Sequence, residues 1–176
     1  MTLSVPAELL KTVMPHAGKR ADEFADALNA AMHEWQIRSR IRAAAFLGQV
    51  AHESGSLLYV QEIASGEAYE GREDLGNTQA GDGVRFKGRG LIQITGRANY
   101  ARCAGALGLD CVRYPKLLEQ PIGACRSAGW FWMDRGLNEF ADKNAFGTIT
   151  KRINGGYNGL DDRINHWLTA RRVLGV

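Results

Sequence analysis

The run Ala43-Ala44-Ala45-Phe46-Leu47-Gly48-Gln49-Val50-Ala51 ends in His52-Glu53-Ser54-Gly55, and this junction constrains the chain more than any other feature. The run is far shorter than the roughly 20 apolar residues a membrane span needs. As a helix, it must instead be enclosed on most sides by the rest of the chain. In helical register Glu53 shares a face with Val50 and Phe46, which places a carboxylate on the stripe turned toward the core. Burial there disfavours the charged form, as a general acid working near neutral pH requires. A Glu neutralised by an Arg for purely structural reasons would have the same sequence signature.

The elements around this run are read from the same periodicity. Phe24, Ala27, Leu28, Ala31, Met32 and Trp35 follow the spacing of a core helix, and Leu9, Leu10 and Val13 mark a shorter one before it. Pro15-His16-Ala17-Gly18 separates the two. Tyr100, Ala104 and Leu107 predict a helix that opens after Gly96 and stops at Gly108. A further helix runs from Ile122 through Trp130-Phe131-Trp132, where packing is the expected use of the aromatics and at least one of the three is expected at the surface. Phe146, Ile149 and Ile153 form a stripe that ends at Gly155-Gly156, and the last helix begins near Asp161 or Asp162 and carries Ile164, Trp167, Leu168 and Arg171. Val84-Arg85-Phe86 and Leu91-Ile92-Gln93-Ile94 read as the two short strands of a hairpin. Between Ser65 and Gly83 a polar, Gly-rich stretch reads as a long loop, a length that in a small domain usually serves function.

At 176 residues, 45% hydrophobic and 23% charged, the chain is expected to form one globular domain over 1–176. No apolar run is long enough for stable membrane insertion, and Met1 to Pro6 lacks the basic and apolar pattern of an export signal, so synthesis in a cytoplasm is expected. Cys103, Cys111 and Cys125 are odd in number and lack zinc-site spacing, which favours free thiols while leaving a Cys103–Cys111 bridge open. A net charge of +3 gives mild attraction to anionic surfaces and identifies no partner.

Two enzyme classes are excluded by motif. His52-Glu53 begins like the HExxH zinc motif, but position 56 is serine, so the second imidazole is missing, and His16, His33 and His166 are scattered as surface or packing histidines. Gly81 to Gly88 contains glycines and a lysine without the Gly-Lys-Ser/Thr ending of a phosphate loop. Glu53 and, nine residues on, Glu62 instead supply two acids, one at a helix end and one on a more solvated segment, which are the parts for glycosidic bond cleavage.

Three blocks, His52-Glu53-Ser54-Gly55, Gly88-Arg89-Gly90-Leu91-Ile92-Gln93-Ile94-Thr95-Gly96-Arg97-Ala98-Asn99-Tyr100 and Ile153-Asn154-Gly155-Gly156-Tyr157-Asn158-Gly159 with Asp161-Asp162-Arg163-Ile164 behind it, resemble the catalytic domain of the family 19 glycoside hydrolases. That family groups chitinases with phage endolysins. The resemblance implies a lysozyme-like α+β fold, predominantly helical, with a cleft and a small β-hairpin. It implies an inverting mechanism in which Glu53 is the general acid and Glu62 the general base, with Glu67 and Glu70 in the same region as competitors for the second role. The two carboxyls would then stand about 6.5–9.5 Å apart to hold a water between them. Thr95 matches the hydroxyl that holds this water, where most plant chitinases have serine. Gln93, Asn99 and Asn154 match sugar-binding positions, although turn or capping roles would also account for them, Asn154 above all. Arg163, grouped with them at the substrate site, matches the arginine beside the catalytic acid, where its charge would oppose the effect of burial on Glu53.

The chain departs from the plant pattern twice. Asn158 stands where plant enzymes carry an acidic residue, and Ala98 replaces a cleft tyrosine, which puts in doubt a copy of the plant charge network and of its subsite shape. The resulting expectation is an endolysin that cuts the β-1,4 bond between N-acetylmuramic acid and N-acetylglucosamine, acting as a monomer on peptidoglycan glycan strands after release from the host bacterium's cytoplasm. No metal, cofactor or nucleic acid takes part. A chitinase and a catalytically silent wall-binding protein of the same fold are the alternatives.

Overall fold

The computed structural model describes residues 3–176. Its framework is helical: α1 (Ala7–Val13), α2 (Arg20–Glu34), α3 (Arg40–Glu53), the single turn α4 (Asp82–Arg85), α5 (Arg97–Leu107), α6 (Pro121–Asp134), α7 (Leu137–Asp142), α8 (Phe146–Asn154) and α9 (Leu160–Leu174). Local chemistry accounts for several of the boundaries. Ser39 caps α3 by accepting a hydrogen bond from the Arg42 N–H, Pro121 opens α6 at the position that has no use for an amide hydrogen, and Asp22 and Glu23 sit at the positive end of α2. The helices expected from periodicity are present. To them the structure adds α7, which is too short to show a period.

Every residue from Ala43 to Ala51 is buried, so α3 is the enclosed central helix. Its most extensive packing is with α9, and that of α2 is with α6. Where α3 crosses α9, a Cβ placed on Gly48 would stand 2.9 Å from both Cα and Cβ of Trp167. The two backbones therefore meet at a contact only glycine permits. Glu53 lies five residues beyond Gly48, and Arg163 lies one helical turn before Trp167, so this crossing carries both to the same end of the helix pair. A second apolar cluster, built on Phe86, Ile94, Tyr100, Cys103, Leu107, Cys111, Leu118 and Trp130, lies beside the main core, and Trp35 and Phe131 pack against both. Trp132 is fully buried and Trp130 nearly so, in keeping with a packing role for the aromatic trio.

The long connection between α3 and α5 carries the second acid. It leaves α3 through a left-handed turn at Gly55, Ser56 and Leu57 (φ +55°, +63° and +66°). Such a conformation costs of order 1–3 kcal/mol at a non-glycine residue. Here Leu57 is held by complete burial, by Ser54 Oγ accepting from its N–H at 2.8 Å, and by Arg20 Nε donating to its carbonyl. The chain then runs extended against 88–90, with Gly90 N donating to Val60 O at 2.9 Å and Glu62 N to Gly88 O at 2.8 Å.

The β structure is smaller than expected and differs in register. Two antiparallel pairings, Gln61 with Arg89 and Arg89 with Ile94, take the place of a hairpin between 84–86 and 91–94. Val84 and Arg85 belong to α4, and three alternating residues are too few to separate a strand from a helical turn. Glu70 settles the matter by accepting from the N–H groups of Gly81 and Gly83 at 2.7 and 2.8 Å at the start of that turn. Asn77, fully buried, donates to Tyr69 O and accepts from Arg97 N, while Asp82 pairs with the Arg97 guanidinium. All three cysteines are free buried thiols, and the Cys111 thiol donates to the Tyr100 carbonyl.

Candidate active site

Glu53 ends α3 with its side chain 21% exposed, so the carboxyl of a core-stripe residue reaches solvent at the helix terminus. Its Oε1 is turned inward, 2.6 Å from Arg163 Nη1, and Arg163 is itself only 2% exposed. The angles of this approach are not those of a hydrogen bond, which makes it an ionic contact. Oε2 is left as the oxygen that meets solvent. Arg163 directs its aligned bonds elsewhere: Nη1 donates to Gln49 Oε1 at 2.6 Å and Nε to the Asn158 carbonyl at 3.1 Å. The residue that departs from the plant pattern thus supplies a backbone acceptor in place of a second carboxylate. Arg163 thus lies on the buried side of Glu53, apart from Gln93 and Asn99 with which the resemblance grouped it.

A second pair stands directly beside the first. His52 Nδ1 lies 2.7 Å from Asp162 Oδ2, and His166 Nε2 is 3.6 Å from the same oxygen. The hydrogen bond to His52, aided by the charges of His166 and Arg163, holds the Asp162 carboxyl below the usual carboxylate range.

The three candidates for the second acid occupy distinct settings. Glu62 is half-buried, with Oε1 accepting from the Tyr69 hydroxyl at 2.8 Å and Oε2 from the Gly88 N–H at 3.1 Å. Burial and this bond together raise the Tyr69 pKa, which keeps the phenol a donor. Both oxygens of Glu70 are committed to backbone amides of the loop, so that residue is a structural clamp. Glu67 is exposed, in a single turn at Glu67–Tyr69.

Gln93, Thr95 and Asn99 come together around a pocket of about 30 Å³, closed by Ile94, Arg102, Trp130, Phe131, Asp134 and Arg135. That volume holds a water or two and no pyranose ring. Asn99 spends its amide donor on the Thr95 carbonyl at 2.8 Å, which leaves its oxygen free. Asn154 is not part of this group: it is the exposed last residue of α8, followed by Gly155 in the left-handed conformation of a helix end. Among the described residues no group of three or more His, Cys, Asp or Glu side chains is placed to hold a metal ion.

Residues 21–144 match the family model described as Chitinase class I, that of glycoside hydrolase family 19. The chain belongs to that family. A family 19 domain-containing protein of Haemophilus influenzae is 28% identical over 93% of this chain and 94% of its own length. Endochitinase At2g43610 of Arabidopsis thaliana is 38% identical over 76% of the chain, which spans about half the length of that enzyme. Among solved structures, a mutant of chitinase C superimposes with a TM-score of 0.82 at 25% identity, covering 98% of this chain and 77% of its own. A bacterial family 19 chitinase gives 0.81 over 98% and 95%. As a family 19 domain the chain is a chitinase-like glycosidase, and its predominantly helical, lysozyme-like architecture is that of its structural neighbours.

Within this family 19 domain, sequence reasoning overlooked the groups that hold the acids. Gln49 had a readable signal, as a lone amide inside an apolar run four residues before Glu53. Tyr69, Thr150 and the Gly88 amide had none, because each reaches its partner through the tertiary fold.

Proposed function

We propose that the domain hydrolyses the β-1,4 bond between N-acetylmuramic acid and N-acetylglucosamine in peptidoglycan, with inversion at the anomeric carbon. The reading rests on one observation: Glu53 offers a solvent-facing carboxyl oxygen, while Glu62 alone of its competitors is half-buried with its carboxylate oriented by two donors and not consumed by a loop. Glu53 gives its proton to the glycosidic oxygen as the C1–O bond breaks. A water held by the Thr95 hydroxyl attacks C1 from the opposite face, its proton passing to Glu62, and the new hemiacetal has the inverted configuration. The amides of Gln93, Asn99 and Asn154 bind N-acetyl and hydroxyl groups along the glycan.

Support for a bacterial wall glycan comes from the end-to-end match with a bacterial family member and from the mild positive charge. The cleft wall at Ala98 also differs from one bearing a large aromatic. A Cβ on Gly76 would stand 2.7 Å from the Ala98 Cβ, so the loop occupies space a tyrosine would need. The enzyme would reach its substrate after release from the cytoplasm. The identity to plant endochitinases supports chitin as a second reading. Mass spectrometry of fragments released from purified peptidoglycan and from chitin oligomers, with Glu53→Gln as control, separates the two. Soluble muropeptides ending in reducing N-acetylmuramic acid, absent with the variant, are the expected result. Cleaved oligomers with intact peptidoglycan would move the substrate to chitin, and products unchanged in the variant would overturn the acid assignment.

A further inference from the structure

We infer that Gln49 and Thr150 are positioning residues that fix the charge of Arg163 against Glu53. The inference rests on the reading of Glu53 as the general acid. Its basis is the geometry of the contact between the two: Arg163 Nη1 is close to Glu53 Oε1 but makes no aligned hydrogen bond to it, so other groups must orient the guanidinium. Aligned bonds run from Nη1 to Gln49 Oε1 and from Nε to the Asn158 carbonyl, and these place the guanidinium.

Gln49 can do this only if its amide presents oxygen, not nitrogen, to Arg163. A buried amide rotated by half a turn would direct N–H donors at a cation that has no acceptor to offer. Thr150 prevents that rotation, because Gln49 Nε2 donates to Thr150 Oγ1 at 2.8 Å and the Thr150 hydroxyl is free to accept. Gln49 and Thr150 are fully buried, so bulk solvent does not stand in for either partner. A hydroxyl on α8 thereby sets the orientation of an amide on α3, the amide sets a guanidinium on α9, and the guanidinium sets the electrostatic environment of the acid.

The other titratable groups gathered at this end of α3 are Asp162 and His166 from α9, and His52 on α3 itself. None of them hydrogen-bonds to Gln49 or Thr150. Loosening the network acts on Glu53 through Arg163 alone. Moving a cation away from a carboxylate raises the carboxyl pKa. The basic limb of the kcat/KM profile, which requires protonated Glu53, would move with it.

The test compares wild type, Thr150→Val and Thr150→Ser. Valine keeps the shape and removes the acceptor; serine keeps the hydroxyl. Two quantities are read: the Glu53 titration followed by side-chain carboxyl ¹³C NMR without substrate, and the pH profile of peptidoglycan solubilisation. Thr150→Val is expected to raise the Glu53 midpoint and the basic limb together, by the same increment in both readouts, because it frees the guanidinium to move away from the carboxylate, and Thr150→Ser to restore both. Folded Thr150→Val with a Glu53 titration superimposable on wild type overturns the inference. Should valine fail to fold, Gln49→Glu provides the second variant: its carboxylate competes for Arg163, so the Glu53 midpoint must rise, and an unchanged midpoint overturns the inference equally. An active Glu53→Gln enzyme would instead defeat the acid assignment, and the NMR titration keeps the two failures apart.

Discussion

Replacing Gly48 with alanine sets two effects of opposite sign against each other. Alanine in a helix interior is favoured over glycine by about 0.8–1.0 kcal/mol, so on helix propensity alone the variant gains stability. Against this, the new Cβ would lie 2.9 Å from Trp167 Cα and Cβ and 3.0 Å from its N, and these are backbone and near-backbone atoms with no rotamer to give way. Overpacking of a core typically costs 1–3 kcal/mol, and a backbone obstacle places this case in the upper part of that range. The net is a destabilisation of about 1–2 kcal/mol, or a fall in Tm of about 2–8 °C for a chain of this size. The helices can relieve the clash only by separating, which draws Arg163 away from Glu53. Because a 1 Å misplacement costs on the order of 10²-fold in rate, a separation of a few tenths of an ångström should lower kcat/KM by about threefold to tenfold. Calorimetry and peptidoglycan turnover on the same preparation check both. A Tm at or above wild type with full activity would mean that α3 and α9 are not in backbone contact at Gly48.

The second acid is tested by comparing three isosteres. Glu62→Gln should lower kcat by about 10²–10⁴, Glu67→Gln should change little, and Glu70→Gln should lower Tm more than kcat because its carboxylate is committed to the Gly81 and Gly83 amides; a reversed order of rates would move the base. Tyr69→Phe removes a donor to Glu62, worth about 1.5–3 kcal/mol for a charged acceptor, so kcat should fall at least about tenfold with the fold intact by circular dichroism. Asp82 carries a pKa lowered by its bond to Arg97. Its contribution to stability is therefore complete above the unfolded value of about 3.9 and is lost as pH falls through the lower folded value. The Tm deficit of Asp82→Asn should accordingly be full at neutral pH and shrink below about pH 4, and a deficit independent of pH would refute the ion-pair account.

The helices that were legible, all but α4 and α7, each carry about two turns or more of their own evidence. Phe24 to Trp35 and Phe146 to Ile153 bury the faces their spacing predicts. Val84-Arg85-Phe86 failed for the converse reason: three residues fit either period, and the decision was made by Glu70, eleven and thirteen positions before the amides it caps. Glu53 could be picked out as a charge on a core stripe. Periodicity and spacing could not pair Arg163 with it, since the two are 110 positions apart and meet only through the α3–α9 crossing; that neighbour was implied by the family resemblance alone. The choice among Glu62, Glu67 and Glu70 was likewise undecidable from composition, because it depends on which carboxylate the loop uses for its own amides.

The end of α3 and the start of α9 meet as two adjacent pairs, a histidine with a carboxylate and a carboxylate with a guanidinium. Consecutive residues His52 and Glu53 face consecutive residues Asp162 and Arg163, each matched to its complement. A slip of α9 by one residue would turn it by about 100° and carry the Asp162 carboxylate toward Glu53, replacing attraction with repulsion. Gly159 guards the same register sterically, since a Cβ there would fall 2.2 Å from His52 Cε1, so only glycine lets α9 begin against the imidazole ring. The electrostatics of the acid and the docking of its helix are in this way a single constraint. The His52–Asp162 pair thereby helps fix which residue of α9 stands opposite Glu53.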